Sequence, residues 1–332
     1  MTRRSAPVLS VENLQAHFRT NHFGVQREVR AVDGVTFEVR GDEIYGLAGE
    51  SSSGKTTLIK TIAGLLKPPL EMVGGRAAFS FLPGHDALAR APAEVVAGAR
   101  WSKLSYIMQG SMNVLNPLRR IGRTFEDFAL RHLGHEGFQR RVVEHLARLK
   151  LESSVLGAYP HELSGGMRQR VTIALATICK PEFIIADEPT TALDVVVQKD
   201  VLGMIREIQS ESGSSVLFVT HDMGVHAALS DRLGIMYAGR LVEEAPTDTL
   251  FAAPLHPYTQ HLIASLPRIG DRSERRSLGG APPNLADPPP GCRFHPRCPM
   301  VMEVCRSRVP AMVGRGEDHR VACHAVANGA AS

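Results

Sequence analysis

The alternation of hydrophobic and polar positions near the start of the chain predicts β-strands. Short runs that contain β-branched residues cover 8–14, 31–39 and 44–48, and turn-forming residues such as Gly41 and Asp42 separate the last two. We therefore expect the N-terminal region to consist mainly of strands.

After these strands the pattern alternates between helical and strand periodicity. Residues 55–66 carry apolar positions at helical spacing directly after a Gly/Ser loop, and 195–210 show the same spacing. Apolar runs at 183–187 and 216–220 are typical of buried strands. This order predicts an α/β domain with a mainly parallel sheet. The more polar, mostly helical segment at about 110–165 is predicted to be an insertion in it.

A change of composition near residue 267 divides the chain. Residues 270–291 are rich in Pro, Gly and charge and lack periodicity, which predicts an extended linker. Four of the five cysteines follow this segment. We expect one large domain over 1–265 and a linker with a small Cys-rich domain over 266–332.

Length and composition exclude several classes of protein. A chain of 332 residues with 43% hydrophobic residues can bury a large core, which excludes disorder throughout. The excess of 38 Lys and Arg over 34 Asp and Glu is mild and does not indicate a nucleic-acid partner. No apolar run approaches the ~18 residues of a membrane-spanning helix, and no secretory signal is evident. We expect a cytoplasmic location.

The clearest chemical signal is the sequence GESSSGKT at 49–56, which fits G-x4-G-K-[ST]. Small residues let successive backbone N–H groups surround a phosphate, and Lys55 can reach the β- and γ-phosphates. The Thr56 hydroxyl is a candidate Mg²⁺ ligand. The residues expected to bind the nucleotide here are Gly49, Ser51, Ser52, Ser53, Gly54, Lys55, Thr56 and Thr57.

The apolar strand at 183–187 ends in Asp187, and Glu188 follows it directly. Asp187 would stand at the carboxyl edge of the sheet, where ligands bind in such folds, and would hold Mg²⁺ directly or through water. Glu188 would orient and polarise an attacking water. Taken alone, a strand that ends in Asp-Glu is equally consistent with a solvated strand end.

A third signal is LSGGMRQR at 163–170, which precedes an apolar helical run. Ser and Gly before a helix are ordinary capping residues. A helix cap would explain the Ser and Gly residues, but it does not explain the complete LSGGMRQR string just upstream of the Asp-Glu strand.

The order of these motifs over about 8–245 resembles ABC-type ATPases. The resemblance implies an α/β P-loop NTPase fold with a parallel core sheet, an antiparallel β subdomain and a helical insertion. It implies that ATP on the Lys55 loop is closed over by a second ATPase chain. Ser164, Gly165 and Gly166 would cap the partner's ATP in return.

The same resemblance implies roles for four further residues. Phe18 would stack on adenine, with Phe23 as the alternative, and His221 in FVTHD would contact the γ-phosphate. Gln109 in YIMQG would contact Mg²⁺ and couple to the transmembrane partner. Asp194 would belong to the D-loop, TALD. The catalytic residues are thus expected to be Glu188, His221 and Gln109.

Three further stretches resemble the ATPase subunits of dipeptide and oligopeptide importers: Asn116-Pro117, HPYT at 256–259 and GCRFHPRCP at 291–299. This implies a peripheral protein on the cytoplasmic face of the membrane. Its expected partners are a second ATPase, favoured to be a paralogue, two permeases and an extracytoplasmic binding protein, without nucleic acid. Related subunits serve nickel, glutathione or haem, so the resemblance does not determine the cargo.

A soluble ABC ATPase of iron–sulfur assembly or of nucleic-acid or ribosome-linked work is the alternative. Such proteins usually carry two ATPase units or a long coiled insertion, and this sequence has neither.

Two positions depart from the family pattern. Ser52 stands where glycine is usual, which costs roughly 1 kcal/mol if φ is positive there. Gly110-Ser111 stands where Asp-Pro is commoner, which could weaken coupling. Neither removes Lys55 or Glu188, so hydrolysis is still expected.

The cysteines at 292, 298, 305 and 323 are spaced C-x5-C, C-x6-C and C-x17-C. Structural zinc usually shows C-x2–4-C, whereas longer spacing with a Cys-Pro pair is nearer to iron–sulfur ligation. The importer resemblance implies a [4Fe–4S] cluster that stabilises the small domain. A zinc site completed by histidines and unmetallated thiols are the alternatives. The expected cluster ligands are Cys292, Cys298, Cys305 and Cys323; the candidate zinc histidines are His295, His319 and His324.

Overall fold

Two β-sheets with flanking helices form the framework of the chain. The computed structural model describes residues 6–22, 24–82, 96, 98–108, 110, 114–191, 193–266 and 278–327. The strands are β1 (Pro7–His22), β2 (Val25–Arg40), β3 (Ile44–Ala48), β4 (Leu70–Phe79), β5 (Leu104–Ile107), β6 (Phe183–Asp187), β7 (Ser215–Val219), β8 (Arg232–Tyr237), β9 (Arg240–Pro246), β10 (Val313–Gly314) and β11 (Arg320–Val321). The helices are α1 (Lys55–Ile62), α2 (Ile121–Leu133), α3 (Phe138–Arg148), α4 (Gly165–Thr177), α5 (Val195–Ser212), α6 (Met223–Leu229), α7 (Thr247–Ala252), α8 (Pro257–Ala264) and α9 (His324–Ala327).

The larger sheet has eight strands in the order β10-β11-β9-β8-β3-β7-β6-β5. Its five strands from β8 to β5 run parallel, and β9, β11 and β10 extend it in antiparallel fashion. Every residue of β3, β6 and β7 is buried, as expected for strands covered on both faces. The sequence predicted the parallel part, and the sheet as a whole is mixed.

The smaller sheet is antiparallel, in the order β2-β1-β4. Burial alternates along the second half of β2, so one face packs on the core and the other meets solvent. The inner face shares one hydrophobic cluster with α1, through residues such as Val11, Phe37, Leu58 and Ile59. This packing fixes α1, and therefore the loop before it, between the two sheets.

The segment predicted to be a helical insertion contains α2, α3 and two short 3-10 turns, Ser153–Gly157 and Pro160–Glu162. Phe125 of α2 and Leu146 of α3 pack in one cluster with Val171 of α4 and Ile184 of β6. The apolar face of α4 is thereby held between the helical segment and the parallel strands.

The Cys-rich region continues the large sheet. Strand β11 pairs with β9, so that Arg320 faces Glu244, and Phe294 is buried against the rings of Tyr237 and Tyr258. Apolar residues of this short segment are therefore buried on the larger domain, which the sequence did not indicate. A domain stapled by metal is not shown, and the boundary at 265 stays a prediction.

The predicted linker is only partly described, because residues 267–277 lie outside the described ranges. Residues 278–291 form turns and irregular structure. Within the described parts of the chain, no helix has the length and apolar character needed to cross a membrane.

Candidate nucleotide-binding and hydrolysis site

The loop at 49–54 connects the end of β3 to the start of α1. Gly49 and Gly54 have φ of 148° and 102°. A Cβ atom on Gly49 would lie 2.2 Å from the Met236 carbonyl oxygen, and one on Gly54 would lie 2.1 Å from that of Ala31. Both positions therefore require glycine. Ser52 has φ of 65°, so the departure at this position does carry the expected strain.

The Lys55 ammonium group lies over this loop. It donates to the carbonyl oxygens of Gly49 (2.7 Å) and Glu50 (2.9 Å) and to Oγ of Ser53 (3.2 Å). Burial lowers the pKa of Lys55 to about 8. A bound phosphate would offer a stronger acceptor and would favour the charged amine.

Asp187 ends β6 beside this loop and is only 1% exposed. Its Oδ2 accepts a hydrogen bond from the Tyr106 hydroxyl (3.1 Å), whereas Oδ1 has no partner among the described residues. Burial raises the pKa of Asp187 to about 6. A buried carboxylate oxygen without a partner suits a Mg²⁺ ligand, so the residues present fit the expected ion.

Glu188 and His221 are brought together, as the resemblance implied for one active site. Nδ1 of His221 lies 2.8 Å from Glu188 Oε1, and Thr191 donates to Oε2 (2.7 Å). Burial alone would raise the pKa of Glu188, but these hydrogen bonds, His221 first, lower it. The carboxylate is therefore charged near neutral pH and can accept a proton or a hydrogen bond from water.

The LSGG residues at 163–166 lie at the start of α4. Oγ of Ser164 accepts from the Met167 N–H (3.2 Å) and caps the helix. A Cβ atom on Gly166 would lie 2.9 Å from Val197 of α5, whose own N-cap is Asp194. The Gly-rich start of α4 thus packs closely against the helix that follows the predicted D-loop.

Other expected ligands are less well defined by the structure. Phe18 is half-buried in β1 and packs on the cluster shared with α1, so its contact with adenine stays a prediction. Phe23 and Gln109 lie outside the described residues, as does Ser111. Thr56 and Thr57 belong to the first turn of α1.

Sequence reasoning missed three residues that contact the site. Besides Tyr106, these are Tyr258 and Arg297, which both contact Glu50. Oη of Tyr258 accepts from the Glu50 N–H (2.8 Å), and Arg297 donates to both Glu50 carboxylate oxygens (2.8 and 3.0 Å). Tyr258 and Arg297 lie in the HPYT and GCRFHPRCP stretches, but nothing in those strings indicates the loop as their target.

The described residues of the cysteine region are not arranged as a site for any metal ion. All four cysteines have free thiols, and no three His, Cys, Asp or Glu side chains in the described ranges are arranged to hold one metal ion. The candidate histidines are engaged elsewhere: His295 contacts the Cys292 carbonyl oxygen, His319 contacts Glu243 and His324 contacts the Arg308 carbonyl oxygen. Zinc completed by these histidines is therefore not supported.

Comparison with known proteins agrees with this geometry. A family model described as "ABC transporter" matches residues 32–191, and one described as "Oligopeptide/dipeptide transporter, C-terminal region" matches 242–305. Two solved structures of the ATP-binding cassette MJ0796 share the fold, each covering 72% of this chain and 98% of the other. One dimer has a TM-score of 0.61 at 26% identity, and a post-hydrolysis dimer bound to ADP and Pi has 0.60 at 25%.

Fold and site together define an ABC-type ATPase. The chain is 39% identical to the dipeptide transport ATP-binding protein DppD of Bacillus subtilis, over 95% of this chain and 94% of that protein. It is 37% identical to the oligopeptide transport ATP-binding protein AppD of the same organism, over 95% and 96%. The chain therefore belongs to the family of ABC transporter ATP-binding proteins, with the C-terminal region of the oligopeptide/dipeptide branch.

We expect Glu188→Gln to reduce ATP turnover by about 10² or more while leaving ATP binding intact, because the amide cannot act as the base for water. Steady-state phosphate release and ATP retention by the assembled ATPase pair measure the two effects. Glu182→Gln, at the opposite end of β6, is the control and should hydrolyse ATP normally. Turnover of Glu188→Gln within a few-fold of wild type would contradict the assignment.

We expect Asp187→Asn to stabilise the nucleotide-free chain by about 2 kcal/mol at pH 7.5. Its folded pKa of about 6 exceeds the ordinary value of 3.8, so the folded state binds this proton more tightly and the ionised form destabilises it at higher pH. The gain should shrink as the pH falls from 6 towards 4.

Urea unfolding at pH 7.5 and 4.5 measures this effect, with Asp200→Asn, a carboxylate nearer the surface, as the control. An equal gain at both pH values would show that the effect does not come from the buried charge.

Proposed function

We propose that this chain hydrolyses ATP to power the uptake of dipeptides or oligopeptides across the cytoplasmic membrane. The observation that carries the proposal is the direct contact of Tyr258 and Arg297, both within the region matched to oligopeptide/dipeptide transporters, with Glu50 of the phosphate loop. The region matched to oligopeptide/dipeptide transporters thus packs directly against the phosphate loop. A soluble ABC ATPase of iron–sulfur assembly or nucleic-acid work has no comparable support.

The chemistry rests on positioning and charge. Lys55 would neutralise the terminal phosphates, and Glu188 would orient the attacking water while His221 contacts the γ-phosphate. Thr56, Asp187 and Gln109 would hold Mg²⁺, which supplies further positive charge against the phosphates.

A second ATPase chain, a paralogue in our proposal, would complete each site. Ser164, Gly165 and Gly166 would present the start of α4 to the partner's ATP. Next to Asp194, Val195 and Val196 are 79% and 75% exposed, an unusual exposure for two adjacent valines. Their burial against the partner chain would account for it, and the dimeric cassettes of the same fold support such pairing.

Permeases would contact a groove whose lining includes Met108, the residue before Gln109 in the sequence. This groove encloses about 510 Å³, and its lining is mostly apolar, including Trp101, Met108, Val114 and Phe128. Nearby, Leu118 is 85% exposed. A cytoplasmic helix of each permease would bury this surface and place the chain at the inner face of the membrane, with a binding protein outside.

A [4Fe–4S] cluster held by Cys292, Cys298, Cys305 and Cys323 is the second part of the proposal. Burial, and after it the thiolates of Cys305 and Cys323, raise the pKa of Cys292 and of Cys298, whereas the Phe294 and Met300 N–H groups donate to Cys292 and Cys298. Cys292 and Cys305 are also joined through the backbone (2.8 Å). The described side chains are not arranged as a metal site, so the proposal rests on the N–H donors to two of the sulfurs and on the family resemblance, and the cluster's role would be structural.

Uptake of a radiolabelled dipeptide tests the cargo, in vesicles that contain the full transporter with its own permeases and binding protein. We expect ATP-dependent accumulation that unlabelled dipeptides compete away and that Glu188→Gln abolishes. The Glu182→Gln transporter should accumulate peptide normally. ATP-driven uptake of nickel, glutathione or haem without peptide uptake would refute the peptide cargo.

Anaerobic isolation of the full-length chain tests the cluster. We expect a brown protein with about four iron and four sulfide per chain, and loss of both in Cys298→Ser. Cys179→Ser, which lies outside the cysteine-rich region, should retain the full iron and sulfide content. A colourless preparation that contains no iron under these conditions would refute the cluster.

A further inference from the structure

Glu50 introduces a negative charge into a loop that must receive phosphates. It is the one acidic residue of 49–54, and the one cationic side chain of the GESSSGKT string is Lys55. Left unpaired, its carboxylate would repel the nucleotide. The C-terminal region supplies the counter-charge.

Arg297 pairs with both carboxylate oxygens of Glu50 (2.8 and 3.0 Å). Its side chain is only 6% exposed and donates further to the Gly279 carbonyl oxygen (3.1 Å) and the Tyr237 hydroxyl (3.2 Å). A two-pronged, partly buried arginine–carboxylate pair is among the strongest charge-assisted contacts. Together with the Tyr258 contact to the Glu50 N–H, it fixes the first half of the loop.

A second arginine of the same region acts on the other half of the loop. Arg293 donates to the carbonyl oxygen of Ala238 and pairs with Asp33. The next residue, Gly239, donates its N–H to the Ser53 carbonyl oxygen (2.8 Å). Arg293 therefore holds the turn at 238–239, which in turn holds Ser53.

We propose that Arg297 and Arg293 are positioning residues for ATP binding. Arg297 neutralises Glu50 and fixes its half of the phosphate loop, whereas Arg293 fixes the other half through the turn at 238–239. The C-terminal region thereby sets the affinity of the loop for nucleotide. This inference depends on the ATP site and is independent of the transported cargo.

The test is equilibrium binding of Mg·ATP to the purified full-length chain in a Glu188→Gln background, which prevents hydrolysis. We expect Arg297→Ala to raise the Kd about tenfold. Arg297→Lys should raise it less, because lysine keeps the positive charge but cannot form the two-pronged contact of a guanidinium group. Adding Glu50→Gln to Arg297→Ala should bring the Kd back to within about threefold of the parent, since the unpaired charge is removed.

Arg293→Ala should also raise the Kd, and Glu50→Gln should not rescue it, because Arg293 acts through the turn. Arg306→Ala, which removes an exposed arginine–glutamate pair of the same region, is the control and should leave the Kd unchanged. Thermal unfolding of each variant identifies those that fail to fold. If Arg297→Ala is among them, Arg297→Lys with and without Glu50→Gln still tests the contribution of the Arg297–Glu50 pair to the Kd.

An unchanged Kd in a folded Arg297→Ala variant would overturn the proposal. So would a double variant that binds no better than Arg297→Ala alone, since that result would indicate a purely structural role. Failure of peptide uptake with the expected Kd changes would refute the cargo and leave this inference standing.

Discussion

The close packing of the phosphate loop against two neighbouring carbonyl oxygens is the constraint on which the site depends. Gly49 and Gly54 approach Met236 and Ala31 so closely that neither position accepts a Cβ atom. The loop is thereby fixed between the parallel sheet, through β8, and the antiparallel sheet, through β2. A chain that built only one sheet would have nothing to shape the other side of this loop.

Burial then prepares the charged groups around the loop. Among the described residues, Lys55 donates to neutral oxygens of the loop, and Asp187 keeps one carboxylate oxygen without a partner. Both groups are more costly to keep ionised than they would be in water. Mg·ATP would supply the missing phosphate charge for one and the missing cation for the other, so part of its binding free energy comes from relieving this cost.

The part of the chain that follows β9 is attached to the large sheet by buried charge as well as by apolar contact. Glu243 accepts backbone N–H groups of Leu255 and His256 and contacts His319, and Glu244 lies between Arg232 and Arg320. Loss of one partner would leave the other charge buried and uncompensated, so the partners must face each other. These contacts orient this part of the chain so that Phe294, Arg293 and Arg297 meet the ATPase at defined positions.

Local sequence alone determined most of the candidate nucleotide site. The GESSSGKT string defined the loop, the apolar run ending in Asp187-Glu188 defined the strand and its carboxylates, and LSGG defined the start of α4. These features depend on residues that are close together in the sequence: the periodicity of strands and helices and the small residues of the loops. All of these can be read directly from a sequence. The partial antiparallel extension of the sheet has no such local signal.

Contacts across hundreds of residues were decided only by the tertiary structure. The pairs Arg297–Glu50 and Arg293–Asp33 join positions 247 and 260 residues apart, and the histidines that spacing offered to zinc are turned to other partners. An arginine in a sequence does not specify which carboxylate it meets, because the direction of its side chain follows from packing. The sequence therefore determined which catalytic and binding groups the chain carries. The fold determined that Arg293 and Arg297, near the end of the chain, support the phosphate loop.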